Sequence, residues 1–357
     1  MGHYIGMDIH RKFSTVCRVD EEGEILAERK LWHDDLASIE RFFRESPPGT
    51  KVVMEATVGW MWLSDLLEAL GMEVHLAHMA GVKLIATSRL KTDRVDARVL
   101  AQLLRLNFLP EAYLAPREVR DLRMKLRHRQ GMIKDRTMLK NRVHALLIRH
   151  NIQLEQSDIF GASGKELLRR MDLPLPARQI LDDQLDLIEQ FDTKILQTDR
   201  RMRRDLQPDP RRKWVDSVPG IGEVTATFLL AEIGEVERFR DAKKFVSYAG
   251  LCPSTRQSAD SVRHGGIRGA GRRLLKWALV EAAHTAVRKD SYFAAIFHRM
   301  SRRKTRSEAY VAVARHMAEI IWRLLSEQRL YEPRRKRSQA GPRRPMVAPT
   351  IQSAPTV

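Results

Sequence analysis

Cysteine is almost missing from this sequence: Cys17 and Cys252 are the only two in 357 residues. That excludes a disulfide scaffold and a cysteine-rich zinc module. Long apolar runs are also missing, since no stretch nears the ~20 residues of a membrane span. The first residues, MGHYIGMDIHRK, hold no apolar leader core. Acids are in short supply, with 45 Asp and Glu against 63 Lys and Arg, an excess of +18. A compact chain with that charge repels itself unless a polyanion is near, so nucleic acid is the first partner to consider and no membrane is expected. What is present suffices for folding: 43% hydrophobic and 30% charged residues can build real cores. At one domain per ~150 residues, two or three domains are expected, in a soluble cytoplasmic protein.

The first hundred residues alternate strand and helix signals. Tyr4 to Ile9, Phe13 to Val19 and Glu24 to Leu31 read as three strands joined by tight turns, hence antiparallel. DDLASIERFFR, from Asp34 to Arg44, has helical spacing with acids at its start. Lys51 to Ala56 reads as a buried strand, Trp60 to Leu70 as a helix stopped by Gly71, Glu73 to Met79 as a strand, and about Val82 to Ser88 as a helix. The order β-β-β-α-β-α-β-α predicts a mixed sheet with helices on both faces. From Asp93 to His150 the pattern is nearly all helical, broken by Pro110 and Pro116. Residues 117–150 carry eleven Lys or Arg and three acids, a balance of +8. Gln179 to Arg204 predicts an amphipathic helix that packs on a partner, as in a coiled coil. A second globular unit starts near Lys213, with helices at Val224 to Ile233, Leu274 to Arg288 and Glu308 to Leu325, and with GLCPSTRQSADS as a loop. From Pro333 the composition turns to Pro, Lys and Arg without acids, which predicts a disordered basic tail. The expected fold class is α/β plus α. Its divisions are an α/β domain at 1–108, a basic helical or coiled-coil connector at 109–210, a mainly α-helical domain at 211–330, and the tail at 331–357.

Asp8 sits inside the apolar strand IGMDIH, and Glu55 sits likewise in VVMEAT. A carboxylate in such a run is costly without a partner or a metal. Asp93 and Asp96, in KTDRVDARVLA, are three apart and so share one helix face. Taken singly, each acid has a structural reading: Asp93 as an N-cap, Asp96 as a first-turn acid, Glu55 as a strand end. Taken together, four converging carboxylates make sense as ligands for divalent hard cations that take oxygen donors, and two such ions stabilise in-line displacement at a phosphodiester. The element order with these acids resembles the RNase H-like fold, and within it the RuvC-type Holliday-junction resolvases.

SVPGIG, Ser217 to Gly222, is a tight turn before a helix. Its glycines let backbone N–H groups approach a phosphate, as in helix-hairpin-helix elements, while its plain reading is a helix start. Gly250 to His284 holds Ser254, Ser258 and Ser261 among Arg256, Arg263, Arg268, Arg272 and Arg273, and residues 263–306 have twelve Lys or Arg against two acids, a balance of +10. A serine hydroxyl among guanidinium groups fits a nucleophile toward phosphate, and equally a polar loop on a phosphate-binding face.

KTDRVDA together with SVPGIG, FVSYAGLCPS and GGIRGAGRRLLKWALVEAA resembles the transposases of the insertion-sequence family numbered one-ten, bridge-RNA-guided recombinases related to the Piv-type DNA invertases. The resemblance runs from Tyr4 to about Leu325. It implies a RuvC-like domain whose DEDD acids fall on Asp8, Glu55, Asp93 and Asp96 and would hold Mg²⁺ or Mn²⁺, a helical connector, and a transposase domain with an essential serine. Many members carry that serine in Ser-Ser-Gly shortly after Gly-Leu-x-Pro-Ser, which places it on Ser258. This chain departs there, with Gln257 for the first serine and Ala259 for the glycine, and Ser261 is the fallback. The resemblance further implies a site shared between subunits of a dimer or tetramer. The partners would be donor and target DNA duplexes and a structured non-coding RNA, in a nucleoid-associated bacterial protein. Arg123, Arg127, Arg129, Lys140 and Arg142, with the five arginines around the serines, are the expected nucleic-acid contacts. The alternatives are a junction-resolving nuclease that uses water and a non-enzymatic nucleic-acid-binding protein.

Overall fold

In a computed structural model the described residues are 2–57, 59–85, 92–156, 158–205, 209–258, 261–267 and 272–333, with backbone alone at 203–205, 254–258, 261–264 and 267. The expected tail lies outside them from residue 334 on, and so does Arg268. The chain divides into two compact units, Met1–Arg120 and Asp121 onward.

The first unit follows the predicted order. β1 (Tyr4–Ile9), β2 (Phe13–Val19) and β3 (Ile25–Trp32) form an antiparallel meander, α1 (Leu36–Arg44) leads to β4 (Lys51–Glu55), and α2 (Trp60–Ala69) leads to β5 (Glu73–Ala77). After α3 (Met79–Ile85) and α4 (Asp93–Arg105) comes a two-residue strand, β6 (Glu111–Ala112). The sheet order is β3-β2-β1-β4-β5-β6, with β1, β4 and β5 parallel and β6 antiparallel to β5. Helical periodicity between Pro110 and Pro116 gave no sign of β6, because two residues carry no period.

Alternation sorts β1 between the two faces. Ile5, Met7 and Ile9 join Val16, Val52 and Met54 under Ile39 and Phe43 of α1 and Leu63 and Leu67 of α2. The opposite face receives α4 through Ala97, Ala101, Leu100 and Leu104. Gly6 makes that crossing possible: a Cβ there would lie 2.0 Å from the Ala97 carbonyl oxygen and 2.6 Å from the Ala101 nitrogen. Only a glycine lets the helix backbone rest on the strand.

Among its described residues, the second unit builds helices and one hairpin. α5 (Arg117–Arg149), which begins at the end of the first unit, α6 (Ala162–Arg170) and α7 (Leu175–Asp205) share a core of Leu139, Val143, Leu168, Leu181, Leu185 and Ile188. Arg129 pairs with Asp199 and Arg136 with Asp192, so α7 runs back as α5 advances and the two are antiparallel. α8 (Arg212–Asp216), α9 (Glu223–Ile233), α10 (Ala242–Tyr248), α11 (Arg273–Lys289), α12 (Ser291–Ser301) and α13 (Arg306–Glu327) enclose a larger core around Phe245, Phe293, Leu229, Leu279, Val313 and Ile321. The hairpin pairs β7 (Pro253–Ser258) with β8 (Ser261–Ile267).

Candidate active site

Strand β1 delivers Asp8 with its side chain 14% exposed, and His10 follows two residues on. Thr92 caps α4, accepting the Val95 N–H at 3.3 Å. The reading of Asp93 as the cap is therefore corrected: the hydroxyl of Thr92 takes that role, and Asp93 and Asp96 occupy the first helical turn. Because α4 rests on Gly6, its first turn overhangs the end of β1. His10 Nε2 lies 3.2 Å from Asp8 Oδ2 and 3.0 Å from Asp93 Oδ2. Donor atoms of Asp8, His10 and Asp93 fall within 4.8 Å of one another. Glu55 follows Met54 on β4 as Asp8 follows Met7 on β1, and Met7 pairs with Met54, so Glu55 and Asp8 project to the same face of the sheet.

Electrostatics at this point favour a cation. Burial pushes the Asp8 carboxyl up from its ordinary 3.8, and the Asp93 and Asp96 carboxylates push it the same way, against the pull of His10. Nε2 of His10 is buried and makes no hydrogen bond, out of line with both oxygens beside it. An ion that takes oxygen and imidazole donors would relieve the carboxylate repulsion and use that nitrogen, so the residues fit a divalent metal. His10 was absent from the residues expected from sequence. Its signal was the two-residue spacing from Asp8, which on extended chain puts both on one face.

The backbone at the three serines is extended. GLCPSTRQSADS was expected to be a loop; instead Pro253–Ser258 and Ser261–Ile267 pair as antiparallel strands. Ser258 and Ser261 are register partners at the tip, and Arg256 stands opposite Arg263. Little in this polar ribbon is apolar, so no burial pattern marked it as strand.

The comparisons with known proteins agree along the chain. A model of the DEDD transposases of IS110 matches residues 5–152, and one described as "Transposase IS116/IS110/IS902 family" matches 212–298. The chain belongs to this transposase family. Among its relatives in the family, a "Probable family 20 transposase" of Pseudomonas aeruginosa is 26% identical over 92% of this chain and 98% of its own length. The transposase of insertion sequence IS1111A from Coxiella burnetii is 23% identical over 92% of this chain and 90% of its own. A "Pilin gene-inverting protein" of Moraxella bovis is 28% identical over 48% of this chain and 54% of its own.

As a family transposase the protein acts on DNA strands, but its cations are not equally available for phosphate. Arg123 was expected on a nucleic-acid surface and is instead only 6% exposed. Its Nε donates to the Ala231 carbonyl at 2.7 Å and its Nη2 to that of Glu232 at 3.3 Å, so it satisfies the end of α9, whose last turn has no base of its own. Arg127 pairs at 3.0 Å with the buried Glu232 carboxylate, whose other oxygen is 3.9 Å from Arg272. Arg129 is bonded to Asp199. Lys140 lies over the Phe160 ring, 4.8 Å from its centre, and burial lowers its ammonium below the ordinary value. Arg142 and Arg273 are exposed. In SVPGIG, Gly220 is consumed by packing, since a Cβ would meet the Ala282 oxygen at 2.4 Å, whereas Gly222 opens α9 with no side-chain cap and open space around it.

Proposed function

We propose that this family transposase cuts and exchanges DNA strands with two sets of groups, the acids Asp8, Glu55, Asp93 and Asp96 and the hydroxyl of Ser258. The observation that carries this reading is the meeting of Asp8 and Asp93 with the unbonded His10 nitrogen at the end of β1. On this reading the sheet is of the RNase H-like, RuvC-like type and the acids hold Mg²⁺ or Mn²⁺. When bound, the ion neutralises charge on the phosphodiester oxygens and polarises phosphorus. Ser258 Oγ attacks phosphorus, forming an O–P bond as the P–O3′ bond breaks; the serine proton is lost and the departing 3′-oxygen gains one. The product is a 5′-phosphoserine link and a free 3′-hydroxyl, ready for exchange with a second duplex. Arginines at 256, 263, 268, 272 and 273 stabilise the charge that develops on phosphate. A structured RNA selects donor and target by base pairing, and the acids and serine of different subunits complete one site in an oligomer. The reading also carries the four-part division of the chain and association with the nucleoid.

The test uses labelled duplex substrate and a denaturing gel. Asp8→Asn keeps the shape of the side chain and removes its charge, and should abolish cutting while nucleic-acid binding persists. Ser258→Ala should lose a slow-migrating protein–DNA adduct that Ser254→Ala and Ser261→Ala retain. Loss of the adduct in Ser261→Ala alone would move the nucleophile to that residue. Free 3′-hydroxyl and 5′-phosphate ends with no adduct in any protein would leave hydrolysis by water as the reaction.

A further inference from the structure

The face of the sheet that carries Asp8 is covered by α4 only as far as the helix's first turn. Beyond it the register continues: Asp8 pairs with Thr15, Thr15 with Lys30, and Phe13 with Trp32, so Phe13, Lys30 and Trp32 share this face. The His10 ring, which touches Asp8 and Asp93, lies 4.6 Å centre to centre from Phe13, and Phe13 lies 5.4 Å from Trp32. Lys30 Nζ is 3.6 Å from the Phe13 ring centre and 4.6 Å from that of Trp32. Trp32 is 48% exposed, and Arg11 and Lys12 are exposed in the adjoining turn.

A large indole left in water at a sheet edge needs a reason, and here rings and cations lead directly away from the acids. Aromatic faces stack on any base, and cations beside them take the phosphates on either side. A base inside a duplex presents no free face, so the ligand must be unpaired. We infer that His10, Phe13 and Trp32 form a stacking platform for an unpaired base of the DNA strand whose phosphate lies at the acids, with Lys30 between the rings and Arg11 and Lys12 at the backbone. The inference rests on the acids being the cutting site. The platform holds the strand apart from its complement next to the scissile phosphate.

The experiment measures binding of the full chain to a short labelled oligothymidylate, to the matching oligouridylate and to a mixed-sequence duplex, at one fixed salt concentration. Trp32→Ala should weaken oligothymidylate binding about tenfold or more and leave the duplex within about twofold. Trp32→Phe should stay close to the parent protein. Trp32→Leu keeps apolar bulk without a π face and should lose what Trp32→Ala loses, with unchanged melting of the fold. Equal binding of oligothymidylate by Trp32→Leu and the parent protein would overturn the platform, as would an equal loss on duplex. Loss confined to oligouridylate would overturn its assignment to DNA. Asp8→Asn separates the two claims: it should bind oligothymidylate normally and fail to cut. If it cut normally, the reading of the acids would fall, while the effect of Trp32 on strand binding would stand on its own measurement.

Discussion

Cys17 shows how one buried side chain sets both reactivity and pH behaviour. It is fully buried on β2, and burial, reinforced by the Glu28 carboxylate, pushes its thiol up from 9.0 to about 11. Iodoacetamide at mild pH should therefore label Cys252, which is partly exposed, and leave Cys17 untouched until denaturant is added, as mass spectrometry of the peptides will show. The unfolded thiol loses its proton near 9.0 and the folded one only near about 11. Between those values the unfolded chain binds fewer protons, so this group's contribution is whole below 9.0 and is lost as pH rises toward about 11. Arg123 is the other instructive residue. Composition placed it among the phosphate contacts because a count of charges is blind to burial. Arg123→Ala strands the Ala231 carbonyl at the end of α9, while that of Glu232 keeps the Tyr248 hydroxyl at 3.2 Å, and should cost on the order of 2 kcal/mol in a urea melt. Arg142→Ala, on an exposed face, should change stability by less than about 0.5 kcal/mol. His10 was equally hidden, for the opposite reason: attention to carboxylates passed over a neutral donor two residues from one of them.

At the level of elements, whatever carried a strong period was legible. β1 to β5, α1, α2, α9 and α11 stand within a few residues of their expected places, because each repeats apolar residues at a spacing that only one kind of element buries. α12, β6 and the hairpin were not foreseen. β6 and the hairpin are held by pairing with another strand, and pairing leaves no period in a short or polar segment. α12 starts at Asp290, whose carboxylate accepts from the Tyr292 N–H at 2.8 Å and whose position directly follows the end of α11. The expected helix ends at Arg288 and none was expected between it and Glu308, where Asp290 is the cap that starts α12. The most consequential element contact, α4 on β1, was also out of sight, since a lone glycine in a strand does not announce what it admits. Gly6→Ala must push α4 outward to clear the 2.0 Å approach to Ala97. Overpacking of this kind costs about 1–3 kcal/mol, and here it also withdraws Asp93 from Asp8. A lower midpoint in chemical denaturation should therefore be accompanied by weaker Mn²⁺ binding. Gly131→Ala is the control: it lies in α5 with open space around it and should raise stability by about 0.5–1 kcal/mol.

For the whole molecule the question is how an excess of +18 is used. If all eleven bases of residues 117–150 met phosphates, log K would fall against log salt with a slope of roughly −10 from that segment alone, at about −0.9 per phosphate. The fold does not allow it. Arg120 is buried on Asp65 and Glu68, Arg123 caps α9, and Arg127, Arg129 and Arg136 are tied to Glu232, Asp199 and Asp192. Lys134, Arg142 and Arg149 are exposed, as are Lys125 and Arg117, the latter 3.9 Å from the Asp65 carboxylate. Lys134, Arg142 and Arg149 should then contribute a slope on the order of −3, read as the difference between the parent protein and a variant with those three changed to alanine. Such a variant should keep its melting temperature, because exposed cations hold nothing in place. A difference near zero would mean that the arginines around the serines, and not this helix, carry the electrostatic contact. The intermediate value follows from the pairing of Arg129 and Arg136 with acids of α7, which assigns part of the positive charge of this transposase to its own helices and leaves the rest for DNA.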